Sequence, residues 1–202
     1  IEGVQSGTVT IDDSEAIFTL CYSYDNGADG YAVVPQVTPG VVGARQTVTF
    51  DSCYAKNNSN NFTITSKGSN DLSLLELTIS AITSLDPVAG TRHIIGSGPD
   101  ESITVCGGLI KGGTTTAISP NSLSQGTLSV SGVTIKDITG NAIASSADPL
   151  AITNITSNVF DTVSGVVSAG NSNITISANS YRDIGASQYY SFTGSNNKVL
   201  DK

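Results

Sequence analysis

The sequence predicts an all-β protein: an N-terminal antiparallel β-sandwich over residues 1–85, then a short right-handed parallel β-helix over 86–202. Three observations carry this prediction. The C-terminal half repeats. Val105, Val130, Ile155 and Ile176 form one apolar column, and Ile110, Ile135, Phe160 and Tyr181 form a second, five positions later, with steps of 25, 25 and 21 residues. Self-similarity at a period of about 20 to 50 residues marks a stacked architecture. Each copy also alternates apolar and polar residues, as in Leu128-Ser129-Val130 and Ile174-Thr175-Ile176, which is the period of a half-buried strand. The N-terminal part, finally, divides into short strands separated by turn residues, the spacing of a sandwich.

The N-terminal elements follow in order. Thr8–Ile11 alternates, and Ala16–Tyr22 follows an acidic turn at Asp12-Asp13. Residues 25–30 are rich in turn formers. Tyr31–Val37 is a strand with Pro35 at an edge or bulge. Thr47–Ala55 runs into a polar hairpin over Lys56–Asn61, and Phe62–Ser66 and Leu74–Ile82 complete the set. Pattern and composition change at Asp86–Gly90, the expected domain boundary.

In the C-terminal repeat, the small columns Cys106, Ser131, Thr156, Ser177 and Gly107, Gly132, Ser157, Ala178 mark bends. Ile138, Val163 and Ile184 form a further apolar column, with Gly113 in the first copy. Lys111, Lys136, Asp161 and Arg182 are expected to form a solvated charge stripe. Asn158 and Asn179 align and are placed to stack as an amide ladder. Stacking at about 4.8 Å buries faces that no single copy can bury alone.

Composition bounds the function. The chain of 202 residues is long enough for a proper core. Only 13% of residues are charged and the formal net charge is −8, which excludes the basic surface that nucleic acid requires. Polar character comes from Ser, Thr, Asn and Gly, a surface suited to sugar contacts. No apolar run reaches about 18 residues, so no membrane span is expected. The chain lacks methionine, so Ile1 is expected to be a cut end or an internal start. Cys21, Cys53 and Cys106 have no metal-ligand spacing; reduced, mostly buried thiols are the favoured reading, with a Cys21–Cys53 bridge left open. Asn-x-Ser/Thr matches at Asn57, Asn61, Asn154 and Asn173 bear only on a secretory or archaeal surface context.

Candidates for chemistry are few. Glycan cleavage needs paired carboxylates. Asp137 and Asp183 share one column, two coils and about 10 Å apart, with Thr162 between them and Asp161 one column away. The competing and favoured reading makes them turn formers. His93 has no nucleophile in a recognisable elbow and is expected at a surface or interface. Asp100 and Glu101 lack a calcium-loop pattern. No metal and no cofactor are expected. Tyr181, Tyr189, Tyr190 and Phe192 gather at the last coil, as an end cap or as a docking surface for sugar rings or a neighbouring subunit.

Residues 5–83 carry a resemblance through SGTVTI, FTLCY, YAVVPQVTP, FTITSK and LLELTISAI. In order and spacing these resemble the small β-sandwich of bacteriophage tail fibres, tailspikes and capsid decoration proteins, although Leu75 and Leu77 stand where that family often has Trp. Residues of about 90–202 resemble the parallel β-helices of tailspikes and pectate-lyase-like proteins, but with helix and sandwich in the reverse order. The resemblance implies a virion-surface structural protein, homotrimeric, joined to other virion proteins and in contact with surface polysaccharide. The alternatives are an extracellular glycan-binding or glycan-cleaving β-helix and a secreted cell-surface or filament subunit.

Overall fold

A computed structural model describes residues 14–33, 45–64, 74–88, 91–97, 101–113, 115–121, 126–145, 152–169, 173–185, 188–192 and 195–201. The strands are β1 (Ser14–Thr19), β2 (Tyr22–Tyr24), β3 (Tyr31–Val33), β4 (Arg45–Asp51), β5 (Tyr54–Lys56), β6 (Phe62–Ile64), β7 (Leu74–Leu85), β8 (Ile94–Ser97) and β9 (Glu101–Lys111). They continue as β10 (Ile118–Asn121), β11 (Thr127–Ser131), β12 (Thr134–Ser145), β13 (Ile152–Thr156), β14 (Val159–Ala169), β15 (Ile174–Ser177), β16 (Ser180–Arg182), β17 (Gln188–Phe192) and β18 (Lys198–Val199). No helix long and apolar enough to cross a membrane occurs among the described residues.

Every described pairing is parallel and joins one coil to the next, so the chain winds as a β-solenoid with three ladders. The first runs β1, β4, the start of β7, the start of β9, β11, β13, β15 and β18. The second runs β2, β5, the ends of β7 and β9, the starts of β12 and β14, and β16. The third runs β3, β6, β8, β10, the ends of β12 and β14, and β17.

Both apolar columns read from the C-terminal sequence are ladder columns. Val105, Val130, Ile155 and Ile176 pair in succession, as do Ile110, Ile135, Phe160 and Tyr181. The third ladder supplies a column that the sequence hid: Tyr31, Phe62, Ile94, Ile118, Ile143, Val167 and Tyr190. A register shift in β12 between Ile138 and Asn141 breaks its period. Gly140 sits in that irregularity, and a Cβ there would fall 1.8 Å from the Thr115 carbonyl oxygen. Inward side chains of all three ladders join in one core, each large one contributing about 1.5–3 kcal/mol on burial.

The antiparallel sandwich expected of residues 1–85 is not what the described strands form. They are parallel coils, stacked beneath the C-terminal ones through the β7–β9 ladder. The expected boundary at Asp86 falls at a corner, where the Asp86 N–H donates to the Lys111 carbonyl of the next coil. Coil length explains the difference. The steps Phe18–Phe50, Phe50–Ile79 and Ile79–Val105 are 32, 29 and 26 residues, so no fixed period is visible there. The strands expected over Ala16–Tyr22 and Thr47–Ala55 are each split by a corner residue with positive φ, Leu20 at 54° and Ser52 at 55°. Phe50, Tyr31 and Phe62 pack as an aromatic core there, with Phe18 stacked on Phe50 at 5.0 Å. Expectations for Thr8–Ile11, Val34–Val37 and Asp100 lie outside the described residues.

Two corners repeat through the stack, each marked by a left-handed residue. Leu20, Ser52, Ala81, Gly107, Gly132, Ser157 and Ala178 turn the chain from the first ladder to the second. Asp25, Asn57, Asp86, Gly112, Asp137, Thr162 and Asp183 turn it out of the second. This backbone costs an ordinary residue about 1–2 kcal/mol, and Gly, Asn and Asp adopt it most readily. Of the two small-residue columns expected to mark bends, Gly107, Gly132, Ser157 and Ala178 are corners of this handedness, whereas Cys106, Ser131, Thr156 and Ser177 are paired strand positions of the first ladder.

Candidate functional site: the aromatic end and the charged corner

The aromatic residues grouped at the last coil come together. Tyr181 lies in register with buried Phe160 and stacks on it at 5.7 Å with the rings 10° from parallel. Tyr190 and Phe192 lie in register with Val167 and Ala169 and stack on each other at 5.9 Å. These three rings pack against the core as its last layer. Tyr189 alternates outward, is 49% exposed, and stands edge-on to Tyr181 at 5.5 Å.

Beneath the rim is a polar centre that the sequence did not suggest. The Tyr181 and Tyr190 hydroxyls lie 2.5 Å apart and both donate to the Asp201 carboxylate. Asn179 donates its backbone N–H and Nδ2 to the two Asp201 oxygens, each at 3.0 Å. Burial raises the pKa of both phenols, and their hydrogen bonding with Asp201 adds to the rise for Tyr181. Burial also acts to raise Asp201, but donation by Tyr181, Asn179 and Tyr190 outweighs it and holds the carboxyl below its ordinary value. The centre therefore presents neutral phenols fixed by a carboxylate. It offers aromatic edges and hydroxyls, not a nucleophile.

The expected amide ladder leads into it. Asn158 Nδ2 donates to Asn179 Oδ1 at 3.1 Å and to the Val130 carbonyl at 3.0 Å, while Asn158 Oδ1 accepts the Val133 N–H at 3.0 Å. Asn179 repeats the motif one coil on, against Ile155 and Asp201. The ladder is thus Asn158–Asn179–Asp201, with a carboxylate as its terminal member.

The carboxylates Asp137, Asp161 and Asp183 lie at the second corner. Asp137 and Asp183 occupy left-handed positions at φ 57° and 49°, with Thr162 between them at 55°. Asp137 lies 3.8 Å from Lys111 and 3.9 Å from Lys136, and Asp183 4.0 Å from Arg182, all partly exposed. The charge stripe exists, but one member differs from expectation: Asp161 is buried, not solvated. Its carboxylate accepts from Arg182 Nε at 2.9 Å and from Arg182 Nη2, and from the Thr162 hydroxyl at 3.0 Å. The Arg182 hydrogen bond is the main cause that holds Asp161 below the ordinary carboxyl value. An acid catalyst needs a carboxyl that keeps its proton, whereas Asp161 is held ionised by its cation.

His93, expected at a surface or interface, is buried within the stack. It ends a chain of polar groups inside the second corner. Asn26 Nδ2 donates to Asn58 Oδ1 at 2.9 Å, Asn58 Nδ2 to Asn61 Oδ1 at 3.0 Å, and Asn61 Nδ2 to Ser84 Oγ at 2.9 Å. Ser84 Oγ pairs with His93 Nδ1 at 2.8 Å, and His93 Nε2 with the Gly112 carbonyl at 2.6 Å. A carbonyl only accepts, so Nε2 carries the proton and Nδ1 accepts from Ser84. Burial lowers the His93 pKa from 6.5 to about 4, against the opposing hydrogen bond of Gly112. The polar run 56–61, expected as a hairpin, is the corner that holds this chain. Asn61 is fully buried, so its Asn-x-Thr match is closed to modification in the fold, while Asn57 and Asn154 are exposed.

No protein-family model, no curated protein and no solved structure matches this chain.

Proposed function

We propose that the chain is a structural β-solenoid of a virion surface, a decoration, fibre or spike component that assembles as a homotrimer and contacts surface glycans. The observation that carries the reading is the distribution of exposed apolar side chains. Ile17, Leu20, Tyr22 and Tyr24 lie in the first described coil, and Tyr189, Val199 and Leu200 in the last two, with Val88 and Val159 exposed between them. Exposed apolar groups concentrated at the two ends of a stack suit contact with another chain. The carboxylates and the histidine have structural partners, which favours a scaffold over an enzyme. The parallel β-solenoid is compatible with the β-helices of tailspikes, as it is with those of pectate-lyase-like proteins, and a right-handed winding follows the strong preference of parallel crossovers. Sedimentation equilibrium at micromolar concentration tests assembly: a trimer is expected, and a monomer with solvated end tyrosines removes it.

A second reading, an extracellular glycan-binding or glycan-cleaving β-helix, is favoured by one observation, the exposed ring of Tyr189 beside Tyr181. A reducing-end assay on candidate polysaccharides separates the two. Cleavage that disappears in Asp137→Asn or Asp183→Asn would establish the enzyme.

A further inference from the structure

Cys21 and Cys53 occupy the same position in successive coils. Thr19 pairs with Asp51 and Tyr22 with Tyr54, and a two-residue corner separates each pair of strands. Leu20 and Ser52 take the same left-handed backbone, so Cys21 stands directly over Cys53. The Tyr54 N–H donates to the Cys21 carbonyl at 2.8 Å, which fastens the two coils at this point. Both thiols have the same orientation, Cys21 Sγ 3.5 Å from the Thr19 carbonyl oxygen and Cys53 Sγ 3.5 Å from that of Asp51. Cys53 Sγ also reaches the Phe18 carbonyl of the neighbouring coil, at 3.3 Å. Coil spacing is about 4.8 Å, inside the Cα separation of roughly 4.4–6.8 Å that a disulfide spans. Cys106 is excluded. It pairs with Ser80 and Ser131 in another column, two coils from Cys53 and about 10 Å along the stack.

We infer that Cys21 and Cys53 are a cross-coil disulfide site, closed by a disulfide oxidant and joining the first two described coils. Half-buried Cys21 is the point of entry, because Cys53 is buried. The Cys21 thiolate attacks a sulfur of oxidised glutathione, and one glutathione thiolate leaves. The Cys53 thiolate then attacks the Cys21 sulfur of this mixed disulfide and expels the second. Two protein thiols are oxidised, one glutathione disulfide is reduced to two thiols, and the two protons pass to the departing thiolates.

The experiment treats the reduced protein, in its native state, with oxidised glutathione, followed by alkylation in denaturant and peptide mapping. Trypsin cuts after Arg45, so Cys21 and Cys53 fall on separate peptides, and Cys106 lies on a third between Arg92 and Lys111. The expected result is the loss of two hydrogens from the intact mass, a linked Cys21–Cys53 peptide pair and an alkylated Cys106. Cys106→Ser should retain the link, and Cys53→Ser should stop at a glutathione adduct on Cys21. Three alkylated thiols, a link to Cys106, or a persistent glutathione adduct on Cys21 of the unaltered chain would each overturn the site.

Discussion

His93 is the residue through which acid should act on this fold. Its neutral imidazole accepts from Ser84 and donates to Gly112, and a second proton would turn the accepting nitrogen into a donor facing a hydroxyl that already donates to it. The folded pKa of about 4 lies below the ordinary 6.5. The stabilisation is therefore complete above 6.5 and is lost as pH falls toward 4. The difference corresponds to about 3 kcal/mol over that window. Denaturant midpoints measured across it should fall steadily, and His93→Gln, which can still donate at one end and accept at the other, should flatten the fall. An equal slope in the variant would assign the acid sensitivity to another group. Asp137 offers a second test, of backbone rather than charge. Its exposed ion pairs are worth little. Asp137→Asn should stay within about 0.5 kcal/mol, because Asn accepts the left-handed corner, and Asp137→Val should cost about 1–2 kcal/mol in a denaturant titration.

At the scale of elements, the Asn158 ladder is the clearest device. Asn158 accepts from the Val133 N–H, donates to the Val130 carbonyl, and bonds Asn179 in the next coil. Asn158→Ala should destabilise by roughly 2–4 kcal/mol, since the Val133 N–H and the Val130 carbonyl each lose a buried hydrogen bond and the link to Asn179 goes with them; calorimetric melting measures it, and an unchanged Tm would show that water or a neighbour replaces the amide. This ladder was legible in the sequence because its coils keep nearly constant length. The second ladder was legible only in part. Ser23 and Ser84 interrupt its inward column, where Ala55, Ile110, Ile135 and Phe160 are apolar. Both serines are buried and hydrogen-bonded, Ser23 to Gly30 and Ser84 to His93. A polar residue at a core position hides a repeat from any reading based on hydrophobicity. The N-terminal strands were misread for a related reason. Alternation with period two is common to parallel and antiparallel strands, and the left-handed corners at Leu20 and Ser52 carry no glycine to announce them. The charged column points Asp161 to solvent, but the side chain is buried and accepts hydrogen bonds from Arg182 and Thr162. Asp201 was missed since it follows the last apolar repeat.

For the whole molecule, the ends should govern association. Leu200→Ser removes exposed apolar area beside β18, and Tyr189→Ser removes it from the coil beneath, where the Tyr189 ring stands edge-on to Tyr181. Each should weaken the proposed trimer by about tenfold or more, the order expected when an interface anchor is truncated, and analytical ultracentrifugation across a concentration series measures it. If both variants associated as tightly as the unaltered chain, the interface would lie on the flanks of the stack.

The parallel register also dictates how slowly such a chain must find its fold. The steps along the first ladder run from 32 residues at Phe18–Phe50 to 21 at Ile155–Ile176, so no ladder contact forms from near neighbours in the chain. The first two coils must close long loops before any stacking rewards them, and each later coil then docks on an ordered template. Refolding from denaturant should accordingly take seconds rather than microseconds. During that time unfinished coils present unpaired strand edges to one another, so recovery should fall as protein concentration rises. Stopped-flow fluorescence of the tyrosines at two dilutions would record both effects, and a submillisecond phase carrying the full amplitude would mean that the coils assemble by some more local route.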